Sequence, residues 1–399
     1  MRLTNALEVF WRFLLLGCIS FGGPAAHIGY FQKAFVERLG WVSQSDYAQL
    51  IALSQFLPGP GSSQVGFAIG YQRAGLMGGI GAFLGFTLPS FVLLYCLAVL
   101  SLAHIDNSLY QGVITGLKLL AVIVVTDAVL TMFSSFCQQA HTRFICVLSA
   151  VAVLVFPSLI TQVVVLFSAG VMAMFIAKLT INKTTAPANS TPSNTAFSKT
   201  QTLKTLPLLL FIALFVGLPF LSDDASWWAL FTDFYQSGSL VFGGGHVVLP
   251  LLQETVGQSI DTERFLTGYA LAQAVPGPMF SLAAFLGAEQ IPEHALLAAL
   301  LATLAIFLPG FLLLLSFQNV WQSFANKPNA KHFIQGINAS VVGFIVAVLY
   351  QPVFVSAVTS AFAMAVVLMG IFLLRQLKWH IGYLVLLFLA LGAGLSLIP

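Results

Sequence analysis

Charged side chains are scarce in this sequence of 399 residues, since only 7% are Asp, Glu, Lys or Arg, whereas 58% are hydrophobic. About a quarter of the residues in a soluble domain are charged. These proportions therefore exclude an ordinary soluble protein and predict a polytopic membrane protein with little soluble mass. The formal net charge is only +3 and no basic face is evident. We therefore expect no nucleic-acid partner.

Cysteine is also rare, and its spacing excludes the usual metal sites. The four cysteines are Cys18, Cys96, Cys137 and Cys146. Each stands alone in an apolar run, without the CxxC or Cys/His spacing of a zinc or redox motif. We interpret them as small buried hydrophobic residues, and we expect neither a metal nor a cofactor.

The sequence does contain a strong helix break in two places. Pro58-Gly59-Pro60 interrupts one apolar helical run, and Pro276-Gly277-Pro278 interrupts another. Each break frees backbone N–H and C=O groups from their helical partners. At membrane depth such groups are tolerated only where they are buried in protein or line a cavity. Two broken helices at corresponding places in two halves predict the binding site of a transporter.

These breaks belong to a longer set of landmarks that recur in one order. Phe21-Gly22-Gly23 recurs 221 positions later as Phe242-Gly243-Gly244, and Gln55 before the first break recurs 218 positions later as Gln273. Leu88-Pro89 recurs 220 positions later as Leu308-Pro309, and Gly116 recurs at the same distance as Gly336. A common spacing over both halves predicts a tandem duplication.

The positions of Lys and Arg predict that the two halves face opposite ways. In the first half, Arg73 lies between predicted spans two and three and Arg143 between four and five. In the second half the positive charges occupy the alternate loops, as with Lys327 and Arg375. Positive residues favour the cytoplasmic side. The predicted fold is therefore an all-α inverted repeat of about six, one and six spans, with a cytoplasmic N-terminus and a periplasmic C-terminus.

The repeat and the local composition divide the chain into four segments. They are a first transporter repeat (1–178), a flexible cytoplasmic linker (179–204), an unpaired linking transmembrane helix (205–222) and a second, inverted repeat (223–399). The linker is rich in Thr, Ser, Asn and Pro and has no acidic residue, a composition typical of disorder. Lys33 and Arg38 fit the span count poorly because it places them outside. A re-entrant or interfacial path for residues 22–45 would account for them.

The motifs resemble those of the chromate ion transporter family in its long, two-domain form. They are Ser20-Phe21-Gly22-Gly23-Pro24, Gly40-Trp41, Leu57-Pro58-Gly59-Pro60 with Gln64, Gly70, Arg73-Ala74-Gly75, Gly243-Gly244-Gly245 and Pro276-Gly277-Pro278. The resemblance covers both halves, nearly the whole chain outside the linker. It implies a protein of the bacterial cytoplasmic membrane that exports chromate, confers resistance to it and exploits its likeness to sulfate.

Chromate is a tetrahedral dianion, which loses its hydration only where donors or charges replace it. Helix N-termini after each break offer N–H groups, glycine clusters admit bare backbone, and neutral side-chain donors lie nearby. The candidate binding residues are Gly22, Gly23, Ser54, Gln55, Pro58, Gly59, Pro60, Ser62, Ser63, Gln64, Gly243, Gly244, Gly245, Gln273, Pro276, Gly277 and Pro278, with Ser281 as a further donor. The alternative is that Pro and Gly only kink packed helices, and that Ser and Gln bond to neighbouring backbone.

Four ionisable residues complete the candidate set. Lys118 is a candidate counter-charge for the anion, and Asp127, His27 and His246 are candidates for carrying a coupled proton. Lys118 and Asp127 are nine residues apart, about two and a half helical turns, so they face opposite sides and each requires its own partner. The alternatives are that Lys118 extends to the membrane surface, that Asp127 bonds across helices, and that both histidines are structural.

We therefore predict a secondary transporter that exports chromate by alternating access around the two breaks, coupled to the proton gradient and surrounded by membrane lipid. Open alternatives are another oxyanion such as sulfate, import instead of export, a passive channel, and a homodimer in place of a monomer. An intramembrane enzyme is the remaining alternative. No motif in the sequence places a nucleophile beside a base, binds phosphate or gathers metal ligands.

Overall fold

The computed structural model describes residues 2–21, 23–103, 108–181, 203–220, 227–242, 248–257, 259–321 and 327–396. Helices account for most of these residues and no β-strand occurs among them, so the predicted all-α fold is confirmed. The candidates Gly22, Gly243, Gly244, Gly245 and His246 lie outside the described residues, as does most of the predicted linker.

Sixteen α-helices of eight or more residues occur in the described parts of the chain. The first half contains α1 (Arg2–Ile19), α2 (Gly23–Phe31), α3 (Gln44–Phe56), α4 (Gly61–Ala103), α5 (Ser108–Phe136), α6 (Ala140–Val155) and α7 (Leu159–Ile181). A linking helix, α8 (Thr205–Gly217), follows. The second half contains α9 (Trp227–Leu240), α10 (Val248–Thr255), α11 (Thr262–Ala274), α12 (Leu282–Gln290), α13 (Ala295–Phe317), α14 (Pro328–Val348), α15 (Ala361–Arg375) and α16 (Ile381–Leu395).

Short stretches of 3₁₀- and π-helix extend several of these helices. They are the π-helix Gln32–Arg38 after α2, the 3₁₀-helices Leu218–Phe220 after α8, Met279–Ser281 before α12 and Pro292–His294 before α13, and the π-helix Leu349–Phe354 with the turn Val355–Ala357 after α14.

Five described helical stretches are long and apolar enough to cross a membrane. They are Gly61–Leu100, Ser108–Phe136, Leu159–Leu179, Pro292–Phe317 and Asn329–Ala357. Shorter apolar helices add Ala140–Val155, Thr205–Phe220, Ala361–Arg375 and Ile381–Leu395. Large hydrophobic side chains such as Phe144 and Leu206 remain exposed on these helices, as they do where lipid replaces water. The chain is a multi-pass membrane protein.

Helix α4 consists of two antiparallel arms, residues 61–74 and 75–103. The reversal takes place at Ala74 and Gly75, where Gly75 has a φ of +66°, a value that suits glycine. Gly70 and Gly78 face each other across the arms so closely that a Cβ atom on either would overlap the carbonyl oxygen of the other. The first arm is thus a half-helix that starts after Pro58-Gly59-Pro60 and packs back onto the second.

The last two helices of each half pack against a helix of the other half. Helices α6 and α7 pack on α14, and in the equivalent way α15 and α16 pack on α5. The close approaches match as well. Gly116 of α5 lies against the carbonyl oxygen of Phe388 in α16, and Gly336 of α14 lies against that of Ala169 in α7. This reciprocal exchange relates the two halves by a pseudo-two-fold axis.

The direction of the helices confirms the inversion. Ile123 of α5 lies against Gly370 of α15, and Asp127, one turn further, pairs with Arg375, so α5 and α15 run parallel. The long apolar stretch that contains α14 is followed, after residues 358–360 only, by the shorter apolar helix α15, and helices joined by so short a connection run in opposite directions. Helix α14 therefore runs opposite to α5, its equivalent in the repeat.

The path between α1 and α3 is re-entrant. Helix α1 runs beside the second arm of α4, with Ala6 close to Gly81 near the reversal of that helix. After α2 and the π-helix, the chain returns to the same end, where the Arg73 guanidinium lies 5.0 Å from the ring centroid of Trp41. Lys33 lies on this returning segment. Of the two alternatives for this segment, the re-entrant path is the one that the described residues 23–45 support.

Candidate functional site

Local sequence sets the ends of the helices around the first break. The hydroxyl of Ser43 accepts a hydrogen bond from the Asp46 amide at 3.1 Å and caps the start of α3, as short polar side chains do. Leu57 has an extended backbone, which is the conformation favoured before a proline, so α3 ends at Phe56. Helix α4 starts again after Pro60, whose carbonyl accepts from the Gln64 amide at 2.9 Å.

The first break is inserted into the second half of the chain. The Gly59 amide donates to the carbonyl of Val241, directly after α9, at 2.7 Å. A Cβ atom on Gly59 would lie 2.8 Å from the Cα of Gly310 in α13, and the φ of Gly59 is +121°. Both the backbone angle and the space therefore require glycine at this position.

The second break is inserted into the first half in the equivalent way. The Gly277 amide donates to the carbonyl of Ser20, directly after α1, at 2.9 Å. Its φ is +108°, and a Cβ atom there would lie 2.9 Å from the Oγ of Ser90 in the second arm of α4. Ser20 and Ser90 are the repeat equivalents of Val241 and Gly310. We call these two reciprocal contacts the paired crossing.

Gln64 fixes the first crossing from one side. The side chain is fully buried, and its Nε2 donates to the carbonyls of Pro58 at 2.9 Å and Gly310 at 3.0 Å. Its Oε1 has no partner among the described residues. Leu282 occupies the equivalent position in the second half, so this amide bridge belongs to one crossing only.

His27 connects the two crossings. Its Nε2 lies 3.2 Å from the carbonyl of Ser20, and its Nδ1 lies 3.2 Å from the Oγ of Ser62. A carbonyl only accepts, so Nε2 carries the proton and Nδ1 accepts from the hydroxyl. The Ser20 carbonyl thus receives hydrogen bonds from both His27 and Gly277. The imidazole is fully buried and uses both nitrogens in its neutral form, which favours the structural alternative for His27.

Several buried hydroxyls near the crossings have no acceptor. Ser20, Ser63 and Thr87 are almost fully buried, and their hydroxyl oxygens have no partner in the described part of the chain. By contrast, Ser90 donates to the carbonyl of Thr87 at 2.9 Å and lies 2.7 Å from the Oγ of Ser281. Unpaired buried donors are costly, and a dehydrated oxyanion is the kind of ligand that satisfies them.

The predicted donors Ser54, Gln55 and Gln273 lie in three different environments. The Ser54 hydroxyl donates to the carbonyl of Ile51 at 2.9 Å, so it is occupied within α3. Gln273 directs its Nε2 to the sulfur of Met279 at 3.9 Å. Its equivalent, Gln55, is exposed and lines a cavity. The two glutamines are therefore not brought together.

No three His, Cys, Asp or Glu side chains in the described residues are grouped to hold a metal ion.

Lys118 and Asp127 have separate partners, as the helical spacing predicts. The Nζ of Lys118 lies 2.9 Å from Glu263 at the start of α11, and Asp127 lies 3.3 Å from Arg375 at the end of α15. Both partners come from the second half, and sequence reasoning missed them. The sequence did carry a signal for these pairs, because each of the four charged residues has an uncharged equivalent in the other half. These equivalents are Asn338, Ala347, Ser45 and Val155.

Sequence reasoning also missed the contact surfaces of the crossing. Ser90 and Gly310 follow the recurring Leu-Pro motif, which marked the repeat without indicating a site. Their equivalence across the repeat was the signal that could have placed both of them opposite the breaks.

Comparison with known proteins gives one family. The family model for "Chromate transporter" matches residues 7–174 and again residues 228–395, which confirms the tandem repeat. An uncharacterized transporter of Methanocaldococcus jannaschii is 26% identical over 391 residues, covering 97% of this chain and 94% of its own. The chromate transport protein of Pseudomonas aeruginosa is 25% identical, covering 85% and 79%. That of Cupriavidus metallidurans is 28% identical, covering 85% and 80%. No solved structure matches the chain. Both halves match the same family model, and the chain belongs to the chromate transporter family.

Proposed function

We propose that this protein exports chromate across the bacterial cytoplasmic membrane by alternating access, with the anion bound at the paired crossing. The observation that carries the proposal is that each break is held by the opposite half beside buried hydroxyls that lack an acceptor. The chromate transport proteins of Pseudomonas aeruginosa and Cupriavidus metallidurans support the substrate. The alternation of Lys and Arg supports a cytoplasmic N-terminus and a periplasmic C-terminus.

Neutral donors suit an anion that must be both bound and released. The amides of Gly59 and Gly277 are already used by Val241 and Ser20, so they shape the site instead of contacting the ligand. The donors left are the first-turn amides of α4 and the hydroxyls of Ser63, Ser20 and Thr87. Hydrogen bonds from neutral groups replace part of the hydration of a dianion without the strong binding that a buried unpaired cation would add.

The reciprocal insertion supports alternating access. Each break donates a hydrogen bond to a carbonyl of the opposite half. A movement of one half relative to the other therefore displaces both carbonyls and changes both crossings together. In an inverted repeat one half moves against the other around a fixed site between the inward-facing and outward-facing states.

We further propose that a proton drives the cycle through Asp127. Its carboxylate is partly exposed and pairs with Arg375 between the two halves. Protonation removes the carboxylate charge and weakens this contact between α5 and α15. His27 and, outside the described residues, His246 are the other candidates.

Chromate uptake into everted vesicles tests the site, because export becomes uptake in that orientation. We expect Gly59→Ala and Gly277→Ala each to lower the rate at least about tenfold, since each adds a Cβ at a positive φ and within 3.0 Å of the opposite half. Gly217→Ala is the matched control, because nothing lies within 4 Å of a Cβ there. Normal rates in both crossing variants, at normal membrane levels, would refute the site.

The same vesicles test the substrate. Unlabelled sulfate, molybdate and phosphate are added in competition with chromate. Stronger inhibition by sulfate than by unlabelled chromate would assign the site to sulfate instead.

A further inference from the structure

A cavity of 390 Å³ lies between the end of α3 and the first turns of α14, with walls from both halves. We call it the Lys331 cavity. Its polar lining residues are Gln55, Ser135, Gln138, Lys331, Gln335 and Asn338. Gln55, an exposed residue of this lining, precedes Pro58 of the first break by three residues.

The polar groups form a row that leads inward along α14. Lys331, Gln335 and Asn338 occupy positions i, i+4 and i+7, which share one face of a helix, and the row is about 10 Å long. Lys331 is near the start of α14. Asn338, two turns further, is only 7% exposed, and its Oδ1 has no hydrogen-bond partner in the described residues. The amide oxygen can only accept a hydrogen bond, but a half-turn of the side chain about its last bond exchanges Oδ1 and Nδ2. The buried Asn338 amide can therefore present a donor to a polar ligand in the cavity.

The pseudo-symmetric counterpart of this cavity is apolar. It has a volume of 480 Å³ and is lined by Leu, Val, Ile and Ala side chains together with Tyr110. Tyr110 and Ile114 there are the equivalents of Ala330 and Ile334 in the Lys331 cavity. Lys118, the equivalent of Asn338, is held by Glu263. The Lys331 cavity therefore presents amide groups and a lysine, whereas its counterpart has an apolar lining.

We propose that the Lys331 cavity is the cytoplasmic vestibule of the transporter and binds a divalent tetrahedral oxyanion before it reaches the paired crossing. This inference rests on the proposed function and adds the entry site to it. Lys331 attracts the dianion at the mouth, and the amides of Gln335 and Asn338 replace its water further in. The cytoplasmic side follows from Lys327 and Lys331, which start α14 at a loop where positive charge favours the cytoplasm.

Kinetics in everted vesicles test the vestibule. We expect Asn338→Asp to raise the KM for chromate at least about tenfold, because it places a carboxylate where the dianion binds. We expect Lys331→Gln to raise KM about threefold, with a smaller effect at high salt because the charge is screened. Lys178→Gln is the matched control, since Lys178 is exposed and is not among the residues that line the cavity. An unchanged KM in both cavity variants, with chromate still transported, overturns the vestibule and leaves the proposed function intact.

Thiol labelling gives a test that does not depend on chromate transport. Gln335→Cys is introduced into a chain whose four cysteines are replaced by Ala. A membrane-impermeant maleimide should label it in everted vesicles and not in right-side-out vesicles, and sulfate or molybdate should slow the labelling. Labelling from the periplasmic face, or a rate unaffected by either oxyanion, overturns the proposal. If wild-type vesicles fail to transport chromate while protection persists, the proposed function fails and only the oxyanion site in the Lys331 cavity stands.

Discussion

Lys118 is a buried lysine whose ammonium group is held by a carboxylate from the other half of the chain. Its side chain is 10% exposed, whereas that of Glu263 is 77% exposed. Removing Glu263 alone leaves the lysine buried without its counter-ion, which costs more than removing both charges. Because Glu263 is largely in solvent, the cost is on the order of 1 kcal/mol, below that of a fully buried pair.

We therefore expect Glu263→Gln to lower the melting temperature of the purified protein, and the double variant Lys118→Met/Glu263→Gln to recover most of the loss. Glu8→Gln is the control, because its pair with Arg73 is 38% exposed on both sides and such pairs contribute little. Lys118→Met should still transport chromate. Lost transport at an unchanged melting temperature would instead assign Lys118 to the anion.

Asp127 and His27 differ in their access to a proton. Asp127 is 37% exposed beside Arg375, so its carboxylate is accessible at the molecular surface, whereas both nitrogens of the buried His27 are occupied. We expect Asp127→Asn to abolish the response of chromate uptake to an imposed pH gradient, and His27→Gln to keep that response at a lower rate. The measurement compares initial uptake with and without the gradient. A response lost in His27→Gln alone would move the coupling role to the histidine.

At the scale of helices, the breaks are predictable and their partners are not. Proline chemistry at Pro58 and Pro276 is local, so the sequence predicts where α3 and α11 end. The insertion of Gly59 against Gly310 joins residues 251 positions apart, and no local rule relates them. The same holds for Lys118 and Glu263, although the sequence does show that neither has a charged equivalent in the other half.

The exchanged helices depend on glycines at matched positions. A Cβ on Gly116 would overlap the carbonyl oxygen of Phe388, and a Cβ on Gly336 would overlap that of Ala169. We expect Gly116→Ala and Gly336→Ala each to lower the free energy of unfolding by about 1–3 kcal/mol, the usual cost of overpacking. Thermal unfolding in detergent, followed by tryptophan fluorescence, measures the effect.

The matched control for these glycines is Gly394→Ala in α16, where nothing lies within 4 Å of the added Cβ. Because alanine favours a helix more than glycine does, this variant should be neutral or slightly more stable. Equal effects of all three substitutions would contradict close packing at the exchanged helices.

At the scale of the whole molecule, offsets and charges were enough to predict an inverted repeat, since both are read directly from the sequence. They did not predict that α6 and α7 pack on α14, because a repeat fixes which helices correspond and leaves open which half they contact. The span count also assumed that every apolar helix crosses the membrane. The re-entrant return beside Trp41 breaks that assumption and explains why Lys33 and Arg38 fitted the count poorly.

The exchange makes each half dependent on the other. Alone, residues 1–190 would leave α5 without α15 and α16, and residues 191–399 would leave α14 without α6 and α7. The exposed small-residue surfaces would then have no helix to contact. We expect neither fragment to accumulate or transport by itself, and the two co-expressed fragments to co-purify and restore chromate uptake in everted vesicles. A cut between residues 74 and 75, which separates the arms of α4, should not be rescued in this way. Transport by either fragment alone would show that the exchange is dispensable.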